Sequence, residues 1–444
     1  MPRGNVRAPD GEWVAGAGFP LLWPTLAVEE FQQEDEQVMS MSHAGRFVQR
    51  HRLGFLLTLA LIVSTAAVAQ VNAVYVESNV GQLPGKNSVY AYKNSNGVLT
   101  PIAGSPFKTN GSGVFEMNSV FAPGFQADQE IVVNSAGTLL FAVNGDSDTI
   151  TSFSINTDGS LVNLSSASSG GQDPVSIGLN ELSPAGPMVT VVNQADDPLQ
   201  TGGIPNINTL LLDETTGALT PVAGSTINYP ALSLPAQALV SPSGKFVFVV
   251  QFMGGGLFTS YSVGTDGLLT TINSMLPVRG PVFLGATNNP KQRAVYVGMP
   301  AVNQMAVYTY NNSGVLAFAK DIVDPGSLIC WLTTDPGANH LYTVETGTRT
   351  VTVYNISGSN FLKPLQTQHF TLKAGTDEPT NLKLDPTGQF LYVLGLQPNG
   401  QTPGNFLHVL NVSSVDGSLT ETANPIKIPV HVGEVPMGLA VVLK

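Results

Sequence analysis

A short apolar segment with strand character recurs seven times along the chain, and this repetition constrains the fold more than any other feature. The seven segments are Ala73–Val76, Leu139–Val143, Met188–Val192, Phe246–Val250, Ala294–Val297, His340–Val344 and Phe390–Leu394. A unit of this length can form a small antiparallel sheet, but one such sheet cannot cover both of its own faces. Seven sheets stacked around a common axis would bury those faces, so the repeat predicts an all-β, seven-bladed β-propeller.

The repeat that contains Phe246–Val250 shows how one blade is built. Four apolar stretches follow one another and are separated by turns in which glycine supplies the positive φ. The predicted strands are Ala236–Ser241, Phe246–Val250, Leu257–Val263 and Leu268–Ile272. Because similar turns return in the other repeats, each unit is expected to be a four-stranded antiparallel sheet, with hardly any helix.

The two ends of the repeating region predict how the ring closes. The region begins with Ala73–Val76, which has second-strand character, and it finishes with Met437–Leu443, which has inner-strand character. We therefore expect Met437–Leu443 to supply the inner strand of the first blade, so that no sheet edge stays open. In that arrangement Val441 lies beside Tyr75.

The first 69 residues lie outside the repeats. Residues 41–69 begin with three arginines, continue into the apolar run Leu53–Ala69 and end in Ala-Val-Ala. This order is typical of a cleaved secretory signal, and an uncleaved signal anchor is the alternative. We interpret residues 1–40 as a disordered upstream extension, residues 41–69 as a signal peptide and residues 70–444 as the propeller. A periplasmic or extracellular location is expected, with no membrane span in the mature chain.

Charge and cysteine content exclude several classes of function. Residues 70–444 hold 14 basic and 24 acidic residues, a balance that excludes nucleic acid as a partner because phosphate contacts need clustered Lys and Arg. The single cysteine, Cys330, excludes an intrachain disulfide and a CxxC site, and its apolar neighbours place it in the core. No GxSxG elbow, HExxH motif or P-loop is found. We expect a monomer.

Short motifs inside the repeats carry a family resemblance. Val-Tyr recurs in third strands and Gly-x-Leu-Thr recurs at their ends, as in Val89-Tyr90, Val307-Tyr308, Val353-Tyr354, Gly97–Thr100, Gly217–Thr220 and Gly417–Thr420. With these motifs, residues 73–444 resemble the lactonase-like seven-bladed propellers, which include 6-phosphogluconolactonases, cycloisomerases and the related YVTN repeat proteins. The resemblance implies opening or closing of a lactone ring by a few His, Arg and Glu residues around the channel.

One departure from that family keeps a second function open. Its enzymes commonly have a His-Pro-His-type segment before an inner strand, where this chain has Ser233–Ala236 and Arg279–Val282. Hydrolysis of a sugar-type lactone is the predicted activity. The alternative is a non-catalytic propeller that binds a ligand or a protein.

The loops that surround a propeller's channel mouth are mainly acidic here. These loops join the second and third strands or lead into the inner strands, and they gather on one face. The predicted ligand-binding residues are Asp173, Asp324, Asp377, Glu378 and Arg349. An acidic mouth favours a small neutral sugar or lactone, or a protein ligand, over an anionic phosphosugar. Carboxylates are also the ligands that Ca²⁺ prefers, so calcium is the one cofactor that the pattern suggests.

Three further residues at the mouth form the predicted catalytic group. Arg279 would stabilise an oxyanion, and His431 or Glu434 would act as the base. Two structural alternatives remain open. In the first, Arg279 only forms an ion pair with a neighbouring carboxylate. In the second, the carboxylates that directly precede proline only accept hydrogen bonds within turns.

Overall fold

The computed structural model describes residues 72–81, 83–114, 129–197, 200–373, 377–396, 405–421, 423–430 and 434–444. Within these ranges the chain forms seven antiparallel sheets of four or five strands each. The helical elements there are two short 3-10 turns, Pro300–Val302 and Gly358–Leu362. The predicted fold class, an all-β seven-bladed propeller, is confirmed. The predicted extension, the predicted signal segment and His431 lie outside the described residues.

The strands are numbered in chain order. Blade 1 combines the first strands with the last one, and blades 2 and 3 follow it along the chain. Blade 1 contains β1 (Asn72–Glu77), β2 (Ser88–Ser95), β3 (Val98–Pro101) and β4 (Phe107–Lys108), with β31 (Met437–Leu443) as its inner strand. Blade 2 contains β5 (Ile131–Val133), β6 (Leu139–Asn144), β7 (Thr149–Ile155) and β8 (Leu161–Ser168). Blade 3 contains β9 (Pro174–Asn180), β10 (Met188–Asn193), β11 (Asn206–Leu212), β12 (Leu219–Pro221) and β13 (Ile227–Asn228).

Blades 4 to 7 follow with the same order of strands. Blade 4 contains β14 (Pro235–Val240), β15 (Phe246–Gln251), β16 (Phe258–Val263) and β17 (Leu269–Met275). Blade 5 contains β18 (Ala286–Asn288), β19 (Ala294–Met299), β20 (Gln304–Tyr310) and β21 (Leu316–Val323). Blade 6 contains β22 (Ile329–Thr334), β23 (His340–Glu345), β24 (Thr350–Asn355) and β25 (Leu365–Thr371). Blade 7 contains β26 (Glu378–Leu384), β27 (Phe390–Leu396), β28 (Phe406–Val412), β29 (Leu419–Thr420) and β30 (Ile426–Lys427).

The C-terminal strand closes the ring. β31 pairs antiparallel with β1, with Val441 opposite Val74 and Ala440 opposite Tyr75. Val441 therefore lies beside Tyr75, as the sequence predicted. The inner strands contact one another in the order β31, β5, β9, β14, β18, β22, β26 and back to β31. No sheet edge is left open at this seam, which removes a site for aberrant strand pairing.

Buried tyrosines of the second strands link blades 1, 5 and 6 to the blade that follows each of them. The hydroxyls of Tyr75, Tyr296 and Tyr342 donate to main-chain carbonyls in the outer turns of the next blade, at 2.9, 3.0 and 3.2 Å. The rings are fully buried, so the hydroxyl needs such a partner. This geometry explains why an aromatic residue recurs inside the apolar repeat.

Polar side chains of the inner strands fix neighbouring blades around the channel. Gln237 in β14 exchanges two hydrogen bonds with the main chain of Ala286 in β18, at 2.7 and 3.0 Å. Asn288 in β18 donates back to the carbonyl of Val240 at 2.7 Å. Because these bonds are buried, they hold the inner ring rigidly under the loops of the mouth.

The part of the chain that the structure describes was searched for helices able to cross a membrane. None is long and apolar enough to do so.

Candidate functional site

Carboxylates gather on one face of the propeller, at the ends of the second strands and in the segments that lead into the inner strands. Eight of them are at most 3% exposed: Glu77, Glu130, Asp173, Asp197, Asp324, Glu345, Asp377 and Glu434. A buried carboxylate is costly unless hydrogen bonds or a cation satisfy it. How each one is satisfied therefore decides which part of the mouth can do chemistry.

In blades 1 to 3, three carboxylates line a narrow cavity of about 20 Å³. These are Glu77, Glu130 and Asp173. Burial raises the pKa of Glu77 well above its usual range, although the amide of Asn87 donates to its Oε1 at 2.7 Å. The cavity is too small for a sugar. Across the described ranges, no group of three His, Cys, Asp or Glu side chains is arranged to hold a metal ion.

In blade 6, two buried carboxyl groups are satisfied by hydroxyl donors. Asp324 accepts from the hydroxyl of Tyr354 at 2.8 Å, and Glu345 accepts from the hydroxyl of Thr350 at 2.8 Å. Burial raises the pKa of Glu345 well above its usual range, and the neighbouring charge of Asp324 raises it further. His369 approaches Glu345 only at 4.0 Å and is partly exposed. Glu345 therefore favours its protonated, neutral form.

In blade 7, a buried imidazole bridges two carboxylates. His408 in β28 lies 2.9 Å from Asp377 through Nε2 and 2.8 Å from Glu421 through Nδ1. Burial lowers the pKa of His408, but the hydrogen bonds to both carboxylates outweigh it and raise the pKa to about 9. Both ring nitrogens then donate, one to each carboxylate. The main-chain N–H of Lys373 also donates to Glu421 at 2.6 Å.

An arginine and a glutamate lie near each other between these two clusters. Arg349 directly precedes β24 of blade 6, and Glu378 is the first residue of β26 of blade 7. Both side chains are half-buried. Burial raises the pKa of the Glu378 carboxyl, and the positive charge of Arg349 opposes that rise without cancelling it. Two of the predicted ligand-binding residues are thus neighbours.

The backbone at Arg349 is unusual for an arginine. Its φ is 58°, in the left-handed region. The residue directly before the third strand is also left-handed in blade 2, at Asp148 with φ 55°, and in blade 5, at Asn303 with φ 50°. Asp and Asn tolerate this conformation, whereas arginine adopts it at a cost of about 1 kcal/mol or more. An arginine held in such a position points to a functional role for its side chain.

The structure describes two residues of the predicted catalytic group, Arg279 and Glu434. The side chain of Arg279 is 62% exposed and forms an ion pair with Asp321 of β21 at 2.5 Å. Glu434 is buried, and its carboxylate accepts from the main-chain N–H of Gly81 at 2.9 Å. Each side chain therefore has a local structural partner.

The remaining predicted ligand-binding residues have structural contacts as well. The main-chain N–H of Asp173 donates to the carboxylate of Asp148 at 3.0 Å. Asp324 accepts from the main-chain N–H of Gly326 at 2.9 Å, which is the turn-acceptor role considered from the sequence. Asp377 belongs to the cluster with His408.

The sequence reasoning missed a ring of polar residues at the ends of the second strands. In five blades the strand continues one residue beyond the predicted apolar segment, into Glu77, Asn144, Asn193, Gln251 and Glu345. All five are buried. Backbone pairing does not depend on side-chain polarity, so an apolar pattern stops short of them. Their signal is a polar residue at the same offset after each apolar segment.

Comparison with known proteins agrees with this architecture. Residues 200–395 match the protein family described as "Lactonase, 7-bladed beta-propeller". No curated protein matches the sequence.

Several solved structures share the fold. A candidate 6-phosphogluconolactonase from Bacteroides fragilis is 13% identical, with 85% of this chain and 99% of that chain covered and a TM-score of 0.62. The periplasmic gluconolactonase of Pseudomonas aeruginosa is 14% identical, with coverage of 84% and 99% and a TM-score of 0.61. A protein from Lactobacillus plantarum is 13% identical, with coverage of 84% and 99% and a TM-score of 0.63. At these identities the likeness establishes the fold.

The family match covers the part of the ring that holds the Arg349–Glu378 pair. It runs from the third strand of blade 3 to the second strand of blade 7. The fold is that of a seven-bladed β-propeller, and residues 200–395 match the lactonase family model, in agreement with the resemblance that the motifs carry.

Proposed function

We propose that this protein hydrolyses a sugar-type lactone at the channel mouth between blades 6 and 7, with Arg349 and Glu378 as the reacting residues. One observation carries the proposal. An arginine stands in a left-handed position that other blades fill with Asp or Asn, and its charge acts on a half-buried glutamate of raised pKa. The family match and the gluconolactonase among the fold neighbours support the substrate class.

Each residue has a defined role in this proposal. Glu378, as a carboxylate, takes a proton from a water molecule, whose oxygen attacks the lactone carbonyl carbon. Its raised pKa makes it a stronger base than an exposed glutamate. Arg349 stabilises the negative charge that develops on the carbonyl oxygen. The ring C–O bond then breaks, and the leaving alkoxide takes the proton from Glu378, giving a hydroxy acid.

The surroundings favour an uncharged substrate. Asp377, next to Glu378 in the sequence, is hydrogen-bonded to His408. The carboxylate of Glu378 would repel a phosphorylated lactone, whereas a neutral sugar lactone would not meet this repulsion.

Acid release from glucono-δ-lactone by the full-length protein tests the proposal, with the spontaneous hydrolysis subtracted. Arg349→Gln and Glu378→Gln are each expected to lower kcat/KM by roughly 100-fold, since each removes one catalytic interaction. Arg279→Gln is the rival variant. If Arg279→Gln abolishes turnover while Arg349→Gln does not, the reaction depends on Arg279 and not on Arg349. Absence of turnover above the spontaneous rate would favour the non-catalytic binding propeller.

We also infer that the protein acts outside the cytoplasm, because residues 41–69 have the composition of a secretory signal. Cell fractionation tests this inference. The full-length chain is expected in the periplasm or medium, and a chain without residues 1–69 is expected in the cytoplasm. Retention of the full-length chain in the cytoplasm would contradict it.

A further inference from the structure

We propose a second binding site, on the face opposite the channel mouth between blades 4 and 5, for a small organic anion with a flat apolar part. A cavity of about 470 Å³ lies there. It is formed by the turn that joins β14 to β15, the turn that joins β18 to β19, and the turn after β20. The volume is sufficient for a ligand of the size of a substituted aromatic ring.

This cavity is lined by positively charged side chains, whereas the whole protein has a net negative charge. Three cationic side chains line it, namely Lys245, Lys291 and Arg293, and no Asp or Glu is among its lining residues. Residues 70–444 contain only 14 basic residues against 24 acidic ones, and only three are arginines. Such a concentration of positive charge in an acidic protein selects an anionic ligand.

The cavity also offers an apolar surface beside its cations. Phe246 and Tyr310 line it, and their rings pack edge to face with centroids 6.0 Å apart. Burial raises the pKa of Tyr310, and the nearby charge of Arg293 opposes that rise. The guanidinium therefore lies close to the tyrosine ring. In a ligand that joins an oxyanion to a planar ring, the oxyanion would bind the cationic side chains and the ring would pack against the aromatic ones.

One wall of the site is fixed by a hydrogen bond to the next blade. The Nζ of Lys291 donates to the main-chain carbonyl of Gly337, in the turn that joins β22 to β23, at 2.6 Å. Lys245, Lys291 and Arg293 are all exposed at the surface. An incoming ligand would meet all three cations.

The repeat supplies an internal comparison. The corresponding turns of blades 6 and 7 form a cavity of about 340 Å³, whose lining residues include neither Lys nor Arg. Asp335 and His340 lie there instead, in contact with each other at 3.0 Å. The propeller geometry thus forms a cavity at both places, but the geometry does not impose the cations. Their presence between blades 4 and 5 is specific to that site.

Equilibrium dialysis with phenyl phosphate as the probe tests the site, using the full-length protein at low ionic strength. We expect saturable binding of phenyl phosphate, weaker binding of inorganic phosphate, which lacks the ring, and no binding of glucose. Benzoate as a further probe distinguishes a preference for carboxylate from one for phosphate. Raising the salt to 1 M should weaken the binding, because screening then acts over about 3 Å.

Matched variants locate the binding. Arg293→Gln and Lys245→Gln are each expected to weaken phenyl phosphate binding roughly tenfold, because each removes one charge-assisted contact. Lys108→Gln removes an exposed cation of blade 1 and should leave the affinity unchanged. Circular dichroism of each variant verifies folding. Equal loss of affinity in Lys108→Gln, unchanged affinity in both pocket variants, or no saturable binding of any anion would overturn the proposal.

Discussion

Blades 6 and 7 both bury carboxyl groups at the mouth, but they satisfy them in different ways. In blade 7, Asp377 and Glu421 share the imidazole of His408. In blade 6, Asp324 and Glu345 rely on hydroxyl donors, and the imidazole of His369 stays at the edge, 4.0 Å away. A buried carboxylate keeps its charge when a cation contacts it, whereas one with neutral donors tends to take up a proton.

Arg349 and Glu378 lie between these two clusters. Burial and the charge of Asp324 raise the pKa of Glu345, whereas Asp377 is hydrogen-bonded to His408. The charge of Arg349 acts on the carboxyl of Glu378. The blade 7 cluster serves as a rigid charged support, and the blade 6 cluster serves as a neutral one.

The largest expected effect comes from removing the blade 7 imidazole. His408→Leu leaves two buried carboxylates without their cation, which should lower the free energy of unfolding by about 3–5 kcal/mol. His369→Leu in blade 6 removes a partly exposed imidazole and should cost less than about 1 kcal/mol. Urea unfolding of both variants at pH 7 measures the contrast. Similar losses in the two variants would contradict the comparison.

The pH dependence of stability comes next in size. The pKa of His408 is raised from 6.5 in the unfolded chain to about 9 in the folded protein. Its contribution is therefore fully present below pH 6.5 and is lost as the pH rises towards 9. The loss should amount to about 3 kcal/mol in the free energy of unfolding, from a rise of the pKa to about 9.

A variant separates this effect from that of the buried carboxyl groups. The raised pKa of Glu345 also lowers stability with rising pH, but over a window that begins near 4.5, the ordinary pKa of a glutamate in the unfolded chain. Urea unfolding at pH 6, 7.5 and 9 should show the decrease in the wild type and in His369→Gln. His408→Gln should lack it. A decrease of the same size in His408→Gln would assign it to other groups.

The smallest expected effect compares one carboxyl group from each cluster. Glu345→Gln replaces a group that favours its neutral form with a neutral amide, so the free energy of unfolding should change by less than about 1 kcal/mol at pH 7. Glu421→Gln removes one charge-assisted hydrogen bond of His408, which keeps its bond to Asp377, and should cost about 2 kcal/mol. Urea unfolding measures both. A larger loss for Glu345→Gln than for Glu421→Gln would show that Glu345 is charged.

The sequence predicted the ring and its closure because these depend on local patterns. The residues of Met437–Leu443 alone indicate an inner strand. Because β1 has no inner strand before it in the sequence, Met437–Leu443 was expected to pair with β1, and it does. The polar residues at the strand ends, such as Glu77 and Asn144, were not predicted. Their burial depends on donors supplied by other loops, as with Asn87 for Glu77.

The sequence predicted that the residues of the candidate site lie at the mouth, but not which of them are neighbours. Arg349 and Glu378 were both expected at the mouth, but they are 29 residues apart and become neighbours only through the stacking of two blades. The partners of His408 lie 31 and 13 residues away along the chain, beyond any local pattern. Local patterns predict which face a residue occupies, whereas pairing across blades requires the assembled ring.

The pH dependence of kcat/KM for glucono-δ-lactone tests the proposed chemistry most directly. Glu378 must be ionised to act as the base, and burial raises the pKa of its carboxyl above 4.5. Wild-type kcat/KM, corrected for spontaneous hydrolysis, should therefore rise with pH through an apparent pKa above 4.5. Arg349→Gln should lower the whole profile, and Glu378→Gln should remove its acid limb. An acid limb that persists unchanged in Glu378→Gln would contradict the assignment of the base.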